Sequence, residues 1–354
     1  MPPDKLHAPR APIVEFRKPS LIFLGAETNR AMAKTAIGIA DWQKQHCVGQ
    51  LSLPGASVDL GLPEMTVRDA YLAGARSLIL GIASVGGRLE PDWIRHIENA
   101  LECGMDIVSG LHTKLTADSD IRGFAARSSG KLVDVRTPPS DIPVGNGLRR
   151  AGLRALTVGT DCAVGKKYTA LSLWKRHTER GGSCEFCASG QTGIIIAGRG
   201  IPIDAVVSDF ISGAAEILSP AAPPSHWQFI EGQGSLFHPA YAGVSLGLLH
   251  GSQPDAIIVC HEYGRTRLNV FQTYPVPSLE TCIAHHLECA RLTNPDVRCA
   301  GISVNTSILS DAESADYLGS TSQRLGLPCI DPMRTSVDPI LDVLAQFPPN
   351  AGLH

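Results

Sequence analysis

Aromatic residues, blocks of like charge and long apolar segments are all scarce in this sequence. Aromatic side chains make up 5% of the 354 residues, and 31 basic against 34 acidic residues give a formal net charge of −3. Because there is no basic patch, we expect neither nucleic acid nor an anionic membrane as a partner. No stretch reaches the roughly 18 consecutive apolar residues of a membrane span, and the N-terminus lacks the apolar core of a secretory signal, so we expect a cytoplasmic protein.

Glycine and proline are abundant, with 35 and 25 residues, which is typical of an α/β protein with many functional turns. Apolar runs alternate with helical patterns along the whole chain, and this alternation predicts parallel sheets. A stretch rich in proline and glycine, residues 136–147, predicts the boundary between two domains, 1–147 and 148–354. The predicted strands are 20–25, 77–81, 105–109, 153–158, 184–188, 205–207, 227–230, 256–260, 299–304 and 328–330, and the clearest predicted helices are 31–42 and 91–103.

The segment VGTDCAVGKKYT, residues 158–169, follows a short apolar strand and precedes a helical pattern. Backbone N–H groups and the positive end of a helix converge on an anion in such a loop, and a lysine adds a mobile charge. The alternative is a tight turn with two solvated lysines. We predict that this loop binds the phosphates of a cofactor through Gly159, Thr160, Asp161, Cys162, Ala163, Val164, Gly165, Lys166, Lys167, Tyr168 and Thr169.

The loop departs from the G-x-x-x-x-G-K-[ST] pattern. Thr160 stands at the first position, and Lys167 replaces the hydroxyl residue that would hold Mg²⁺. Two adjacent lysines favour a polyanion bound without obligatory magnesium, so we expect no metal, although Thr169 lies one turn further on. Cys162 is a candidate nucleophile, with packing as the alternative role.

Three further glycine-rich segments follow predicted strands, near Ser189, Glu231 and His261. The carboxyl ends of parallel strands share one edge of a sheet, and ligands bind there. Glu231 follows directly on an apolar strand, where burying a carboxylate costs free energy unless it is paired or hydrogen-bonded. It is therefore a candidate base or polar clamp, and the alternative is a surface glutamate at a turn. His238 is a candidate base near neutral pH or a packing residue. Asp209 is a candidate for polar recognition or a helix N-cap.

The strings GTDCAVGK and IEGQG resemble dethiobiotin synthetase and related P-loop enzymes. Over its whole length the chain resembles a two-domain family, long catalogued as a domain of unknown function, that includes D-glutamate N-acetyltransferases. The motifs that carry this resemblance are GLH at 110–112, DVRTPP at 134–139, GTDCAVGKK at 159–167, the run SGQTGIII to SGAAE at 189–216, the run EGQGSLFHPAYAG to QPDA at 231–256, and NTS at 305–307.

This resemblance implies a Rossmann-like domain followed by a P-loop domain, and transfer of an acetyl group from acetyl-CoA to the amine of a D-amino acid. CoA presents phosphates without a need for ATP cleavage, which agrees with Lys167 at the magnesium position. The candidates for the catalytic base are Glu231, His238 and Asp209. The predicted substrate-binding residues are Gln191, Thr192, Gln233, Ser235, His261 and Arg265. Arg265 or Arg267 is expected to hold the carboxylate of the acceptor as a bidentate fork.

An ATP-dependent ligase or kinase of the dethiobiotin synthetase type, using ATP and Mg²⁺, is the alternative. A nucleotide-sensing module without turnover is a third hypothesis. The expected partner is a small-molecule amino acid, and we expect a homo-oligomer.

Overall fold

The computed structural model describes residues 10–82, 87 and 89–352. The chain divides into two compact units. The first unit comprises residues 12–138 and 190–202, and the second unit comprises residues 139–189 and the residues from 203 onward. The boundary placed at residue 147 stays a prediction.

The unit of residues 12–138 and 190–202 is built on a five-stranded parallel sheet. Every residue of its three inner strands is buried, which is expected when helices cover both faces of a parallel sheet. The strands are β1 (Ser20–Gly25), β2 (Cys47–Ser52), β3 (Ser77–Leu80), β4 (Asp106–Ser109) and β5 (Leu132–Asp134), in the order β2-β1-β3-β4-β5. The helices that precede the second unit in sequence are α1 (Lys34–Gln43), α2 (Val67–Leu72), α3 (Ile94–Glu102) and α4 (Ser119–Ala126).

The second unit has a six-stranded parallel sheet. Its strands are β6 (Leu153–Gly159), β7 (Cys184–Cys187), β8 (Trp227–Ile230), β9 (Ala256–Glu262), β10 (Arg298–Asn305) and β11 (Cys329–Ile330), in the order β11-β10-β9-β6-β8-β7. The chain runs from β6 to the edge at β7, returns through β8, and then continues on the other side of β6. The strand order therefore reverses beside β6, and open α/β sheets bind ligands at such a point.

The helices of the later part of the chain begin and end at recognisable residues. For example, Ser310 caps the helix that starts at Asp311, with Glu313 completing a capping box, and Gly326 ends it in the left-handed conformation. These helices are α5 (Lys166–Glu179), α6 (Gln191–Ala197), α7 (Ile211–Leu218), α8 (Ala242–Ser252), α9 (Leu279–Arg291), α10 (Asp311–Leu325) and α11 (Asp338–Leu344).

Helix α6 follows β7 in sequence but packs in the first unit. The Thr192 hydroxyl lies 3.0 Å from that of Thr35 on α1, and both residues are buried. The chain beyond the helix pairs with the N-terminal segment through an antiparallel bridge between Ile13 and Arg199. An excursion of the chain thus contributes residues 190–202 to the unit built mainly from the first half.

The predicted α/β architecture with parallel sheets is confirmed, and most predicted strands are present. The strand predicted at 205–207 is wrong. Ile203–Ala205 and Ser208–Phe210 are short 3₁₀ helices, and Val207 is 67% exposed. The run is only three residues long and its last residue is exposed, so the β-branched pair is not packed on a sheet surface.

Candidate active site

The phosphate loop joins the central strand of the second sheet to a helix, as the sequence predicts. Strand β6 ends at Gly159, and α5 begins at Lys166. Between them Gly165 adopts φ +96°, a left-handed conformation that favours glycine, and Ala163 has φ +54°. A side chain at Gly159 would place Cβ 2.8 Å from a Val164 methyl carbon. The loop is therefore wound tightly at the helix N-terminus, where backbone N–H groups are available to an anion.

Lys166 lies within the loop and not in solvent. It is 7% exposed, and its Nζ donates a hydrogen bond to the Asp161 carbonyl oxygen at 2.8 Å. A Cβ atom on Gly232 would lie 1.7 Å from the Thr157 carbonyl oxygen and 3.1 Å from Cδ of Lys166. Because residue 232 is glycine, the chain after β8 can pack directly against β6 and the Lys166 side chain.

The residues that follow Lys166 offer no free hydroxyl at the usual magnesium position. Lys167 stands there, and its Nζ lies 4.7 Å from the ring centroid of Tyr168. Thr169 is fully buried. Its hydroxyl donates to the Gly165 carbonyl at 3.1 Å and lies 2.7 Å from the Ser303 hydroxyl. The Thr169 hydroxyl is therefore already hydrogen-bonded within the protein.

Arg265 ties the loop that follows β9 to the phosphate loop. Its Nη1 donates to Oδ2 of Asp161 and to the Cys162 carbonyl, both at 2.8 Å, while Nη2 donates to Oε2 of Glu262 at 2.7 Å. Burial lowers the pKa of the Arg265 guanidinium, but the hydrogen bonds to Glu262 and Asp161 outweigh burial and raise the pKa above its usual value. Because these bonds engage the guanidinium on two sides, the geometry favours a positioning role. Its predicted contact with substrate stays a prediction.

Glu231 and Ser189 join the ends of β8 and β7. The carboxylate of Glu231, which is 4% exposed, accepts the backbone N–H of Ser189 at 3.1 Å, and the Ser189 hydroxyl donates to the Glu231 carbonyl. Gln233 completes the cluster, since its Nε2 donates to the Ser189 hydroxyl at 3.0 Å. Two of the three glycine-rich segments therefore meet at the carboxyl edge of the sheet, as expected.

His238 lies in the turn after this cluster and is 1% exposed. Its Nδ1 accepts the backbone N–H of Ala240 at 3.2 Å. The ring stacks on Tyr241 at 4.5 Å between centroids and meets Phe271 edge-on at 4.9 Å. Ser235 is also buried, and its carbonyl accepts the His238 N–H at 3.1 Å.

His261 comes from the end of β9, on the other side of the phosphate loop. Its Nδ1 lies 2.9 Å from the Thr160 hydroxyl. Burial, reinforced by the nearby Arg265, lowers the pKa of His261 to about 4. The ring is therefore neutral at physiological pH and acts as a hydrogen-bond partner of the loop.

Three predicted site residues remain to be placed, namely Gln191, Thr192 and Asp209. Gln191 and Thr192 belong to α6 in the first unit, where the Gln191 side chain fills the space above Gly110. Asp209 is exposed in a 3₁₀ helix and does not end a strand. Their roles stay predictions.

Asp161, Cys162 and His238 offer carboxylate, thiolate and imidazole donors, and one ligand atom from each lies within 4.8 Å of the others. Such atoms suit a transition-metal ion in principle. However, Oδ2 of Asp161 already accepts from Arg265 and from the Asn269 N–H at 2.7 Å. The Asp161 carboxylate is thus already engaged by the protein.

Sequence reasoning missed several residues that shape the site. Asn269 and Glu262 bind the Asp161 and Arg265 pair, and Tyr241 and Phe271 hold the His238 ring. A usable signal was present only for Tyr241, since it lies in the run after the glycine-rich turn. Glu262 is the last residue of β9, Asn269 and Phe271 follow that strand, and only the folded chain brings all three to the loop.

None of the helices in the described part of the chain combines the length and apolar character that crossing a bilayer requires.

Fold and loop together define a two-domain α/β protein with a P-loop whose magnesium position is occupied by lysine. Residues 143–341 match the P-loop domain of a domain of unknown function, DUF1611_C, and residues 51–138 match the corresponding Rossmann-like domain, DUF1611_N. The chain belongs to this family. The predicted Rossmann-like and P-loop classes are thereby confirmed.

Similar proteins include two curated D-glutamate N-acetyltransferases. The one from a Pseudoalteromonas species is 47% identical over 93% of this chain and 99% of its own length. The one from Tritonibacter scottomollicae is 46% identical over 92% of this chain and 98% of its own. A crystal structure of a DUF1611 family protein from Anabaena variabilis superposes with a TM-score of 0.84 at 30% identity, covering 94% of this chain and all of the other. These relatives support an N-acetyltransferase.

Proposed function

We propose that this protein transfers the acetyl group of acetyl-CoA to the amine of a D-amino acid of the D-glutamate kind. The observation that carries the proposal is the phosphate loop with Lys166 inside it and Lys167 at the magnesium position. Such a loop suits the pyrophosphate of CoA, because acyl transfer from a thioester requires no phosphoryl chemistry. The names of the two curated relatives support acetyl transfer to an amine and suggest the acceptor.

In this proposal the amine attacks the thioester carbonyl directly. Glu231 is the favoured base among the three candidates, because it lies at the end of β8 beside the residue that faces Lys166. Its carboxylate accepts the Ser189 N–H, and a carboxylate held at a fixed position can accept a proton from the attacking amine. Backbone N–H groups of the glycine-rich turns are available to the developing oxyanion.

The decisive assay follows release of the CoA thiol from acetyl-CoA across a panel of D- and L-amino acids, with the acetylated product identified by mass spectrometry. We expect turnover with D-glutamate and weaker turnover with its L-enantiomer. Turnover with none of the panel would reject the proposal. Glu231→Gln is expected to lower kcat while leaving CoA affinity nearly unchanged, since it keeps the shape of the side chain.

Calorimetric titration separates the proposed transferase from the ATP-dependent alternative. We expect CoA to bind without magnesium. Tight, magnesium-dependent binding of ATP together with no binding of CoA would favour a ligase or kinase.

A further inference from the structure

The chain after β9 folds into an ordered, hairpin-like loop. Arg267 and Pro275 pair through an antiparallel bridge, and the Leu268 N–H donates to the Tyr274 carbonyl at 3.0 Å. The Leu268 side chain is buried and anchors the loop to the rest of the unit. We call residues 266–276 the β9 loop.

The tip of the β9 loop lies against the phosphate loop. The Asn269 N–H donates to Oδ2 of Asp161 at 2.7 Å, and the Phe271 ring meets the buried His238 ring edge-on at 4.9 Å between centroids. Val270 stands between these two fixed residues, yet it is 67% exposed. The fold therefore holds Val270 at the phosphate loop without covering its side chain.

The backbone of Val270 has a conformation that a valine rarely adopts. Its φ is +70°, in the left-handed region where a Cβ atom comes too close to the following carbonyl oxygen, and β-branched residues are especially rare there. Such a conformation persists only where the surrounding contacts impose it, and it is found preferentially at functional sites and ligand clamps. Contacts on both sides of Val270 impose it here, while the side chain itself gains no burial. A ligand that covered this side chain would supply the missing apolar contact.

Two tyrosines extend the apolar surface around this tip. Tyr241 stacks on His238 at 4.5 Å and is 50% exposed, and Tyr274 lies 6.5 Å from Phe271 and is 47% exposed. We call Val270, Phe271, Tyr241 and Tyr274 the tip surface. Its side chains are aliphatic or aromatic, so it does not match the carboxylates of an acidic amino acid. It suits an uncharged chain that carries methyl groups.

CoA has such a chain next to its phosphates. The pantetheine arm leaves the 5′ pyrophosphate, is uncharged, and carries two methyl groups close to the phosphate end. Consecutive Cα atoms lie about 3.8 Å apart, so Val270 is one such step from the residue that bonds to Asp161 of the phosphate loop. The tip surface therefore adjoins the phosphate loop as the pantetheine arm adjoins the pyrophosphate.

We propose that the tip surface, including Val270, binds the pantetheine arm of CoA where the arm leaves the phosphate loop. This proposal rests on the proposed use of acetyl-CoA. Binding covers the Val270 side chain, and the apolar contact offsets the unfavourable backbone conformation. Val270 positions the arm and takes no part in bond making or proton transfer.

Two ligands separate contact with the arm from contact with the phosphates. CoA and 3′-phospho-ADP share the nucleotide and the pyrophosphate, but only CoA has the pantetheine arm. Val270→Gly removes the side chain, and glycine adopts the left-handed conformation without strain, so we expect this variant to melt no lower than wild type. In calorimetric titration we expect it to bind CoA about tenfold more weakly, as loss of a buried valine side chain implies, and to bind 3′-phospho-ADP as wild type does.

Two further variants serve as controls. Val270→Ile keeps an apolar, β-branched side chain and should bind CoA within about twofold of wild type. Val144→Gly is the matched control, because Val144 is 65% exposed, lies outside the left-handed region and precedes a glycine that packs on α7. It should leave the affinity for CoA unchanged.

A Val270→Gly variant that binds CoA as tightly as an active wild type would overturn this inference and leave the proposed function standing. Equal loss of affinity for CoA and for 3′-phospho-ADP would also overturn it, because the tip would then only support the phosphate loop. A wild type that binds no CoA defeats the proposed function and this inference together.

Discussion

Removing Arg265 tests whether the contacts of this side chain with Asp161 and Cys162 hold the phosphate loop in place. The Asp161 side chain is 0% exposed and that of Arg265 is 14% exposed, so the ion pair at 2.8 Å is largely shielded from water. Arg265→Ala would leave a buried carboxylate without its cation, and breaking such a pair costs about 3–5 kcal/mol. The N–H groups of Cys162 and Asn269 still bind the carboxylate, so we expect the lower end, about 3 kcal/mol.

The assay combines urea unfolding with hydrogen exchange of peptides that cover residues 158–169. We expect Arg265→Ala to lower the unfolding midpoint and to expose the loop amides. The matched control is Arg267→Ala, because Arg267 is exposed and its described hydrogen bond goes only to the Thr273 carbonyl, so its unfolding free energy should stay within about 0.5 kcal/mol. A double-mutant cycle with Asp161→Asn should give a coupling of about 1–3 kcal/mol.

The reasoning is refuted if Arg265→Ala unfolds like wild type and its loop amides stay protected. If that variant instead raises only the KM for the amino acid, Arg265 binds the acceptor carboxylate, as the sequence first suggested, and does not position the loop.

Three further predictions follow from single contacts. Lys166→Ala should weaken CoA binding at least about tenfold in titration, because it removes a charge-assisted contact of about 1.5–3 kcal/mol. The control Lys175→Ala, at an exposed residue of the same helix, should leave the affinity for CoA unchanged. Gly232→Ala should cost more than about 3 kcal/mol in urea unfolding, since its Cβ would lie 1.7 Å from a backbone oxygen; Gly243→Ala, whose Cβ would meet nothing within 4 Å, should be neutral or stabilising. The pKa of His261 is lowered to about 4 in the folded protein, so between that pH and about 6.5 the proton binds mainly to the unfolded chain, and the free energy of unfolding should fall by up to about 3 kcal/mol as the pH drops through this window. His261→Gln should flatten the plot of unfolding free energy against pH. An unchanged plot would contradict the assignment.

The sequence predicted features that depend on local pattern. The strand, glycine loop and helix around Gly165 and Lys166 appear where expected, because turn conformation and anion binding are encoded in consecutive residues. The meeting of Ser189 and Glu231 was also predictable, because parallel strands bring their carboxyl ends to one edge.

Features that depend on distant partners were not predictable in this way. The contact between Asp161 and Arg265 joins residues 104 apart. Strand β2 carries Gly49 and Gln50 in place of a continuous apolar run, and the buried Gln50 is satisfied by the Leu60 N–H and by Glu64. The placement of α6 in the first unit depends on packing against α1, which no local pattern specifies.

The central claim is that the phosphate loop of the second unit binds CoA. The most direct measurement is a crystal structure of the protein with CoA. The account predicts the pyrophosphate against the backbone N–H groups of residues 163–167, with Lys166 Nζ turned from the Asp161 carbonyl to a phosphate oxygen. CoA bound elsewhere, with this loop empty, would contradict the account.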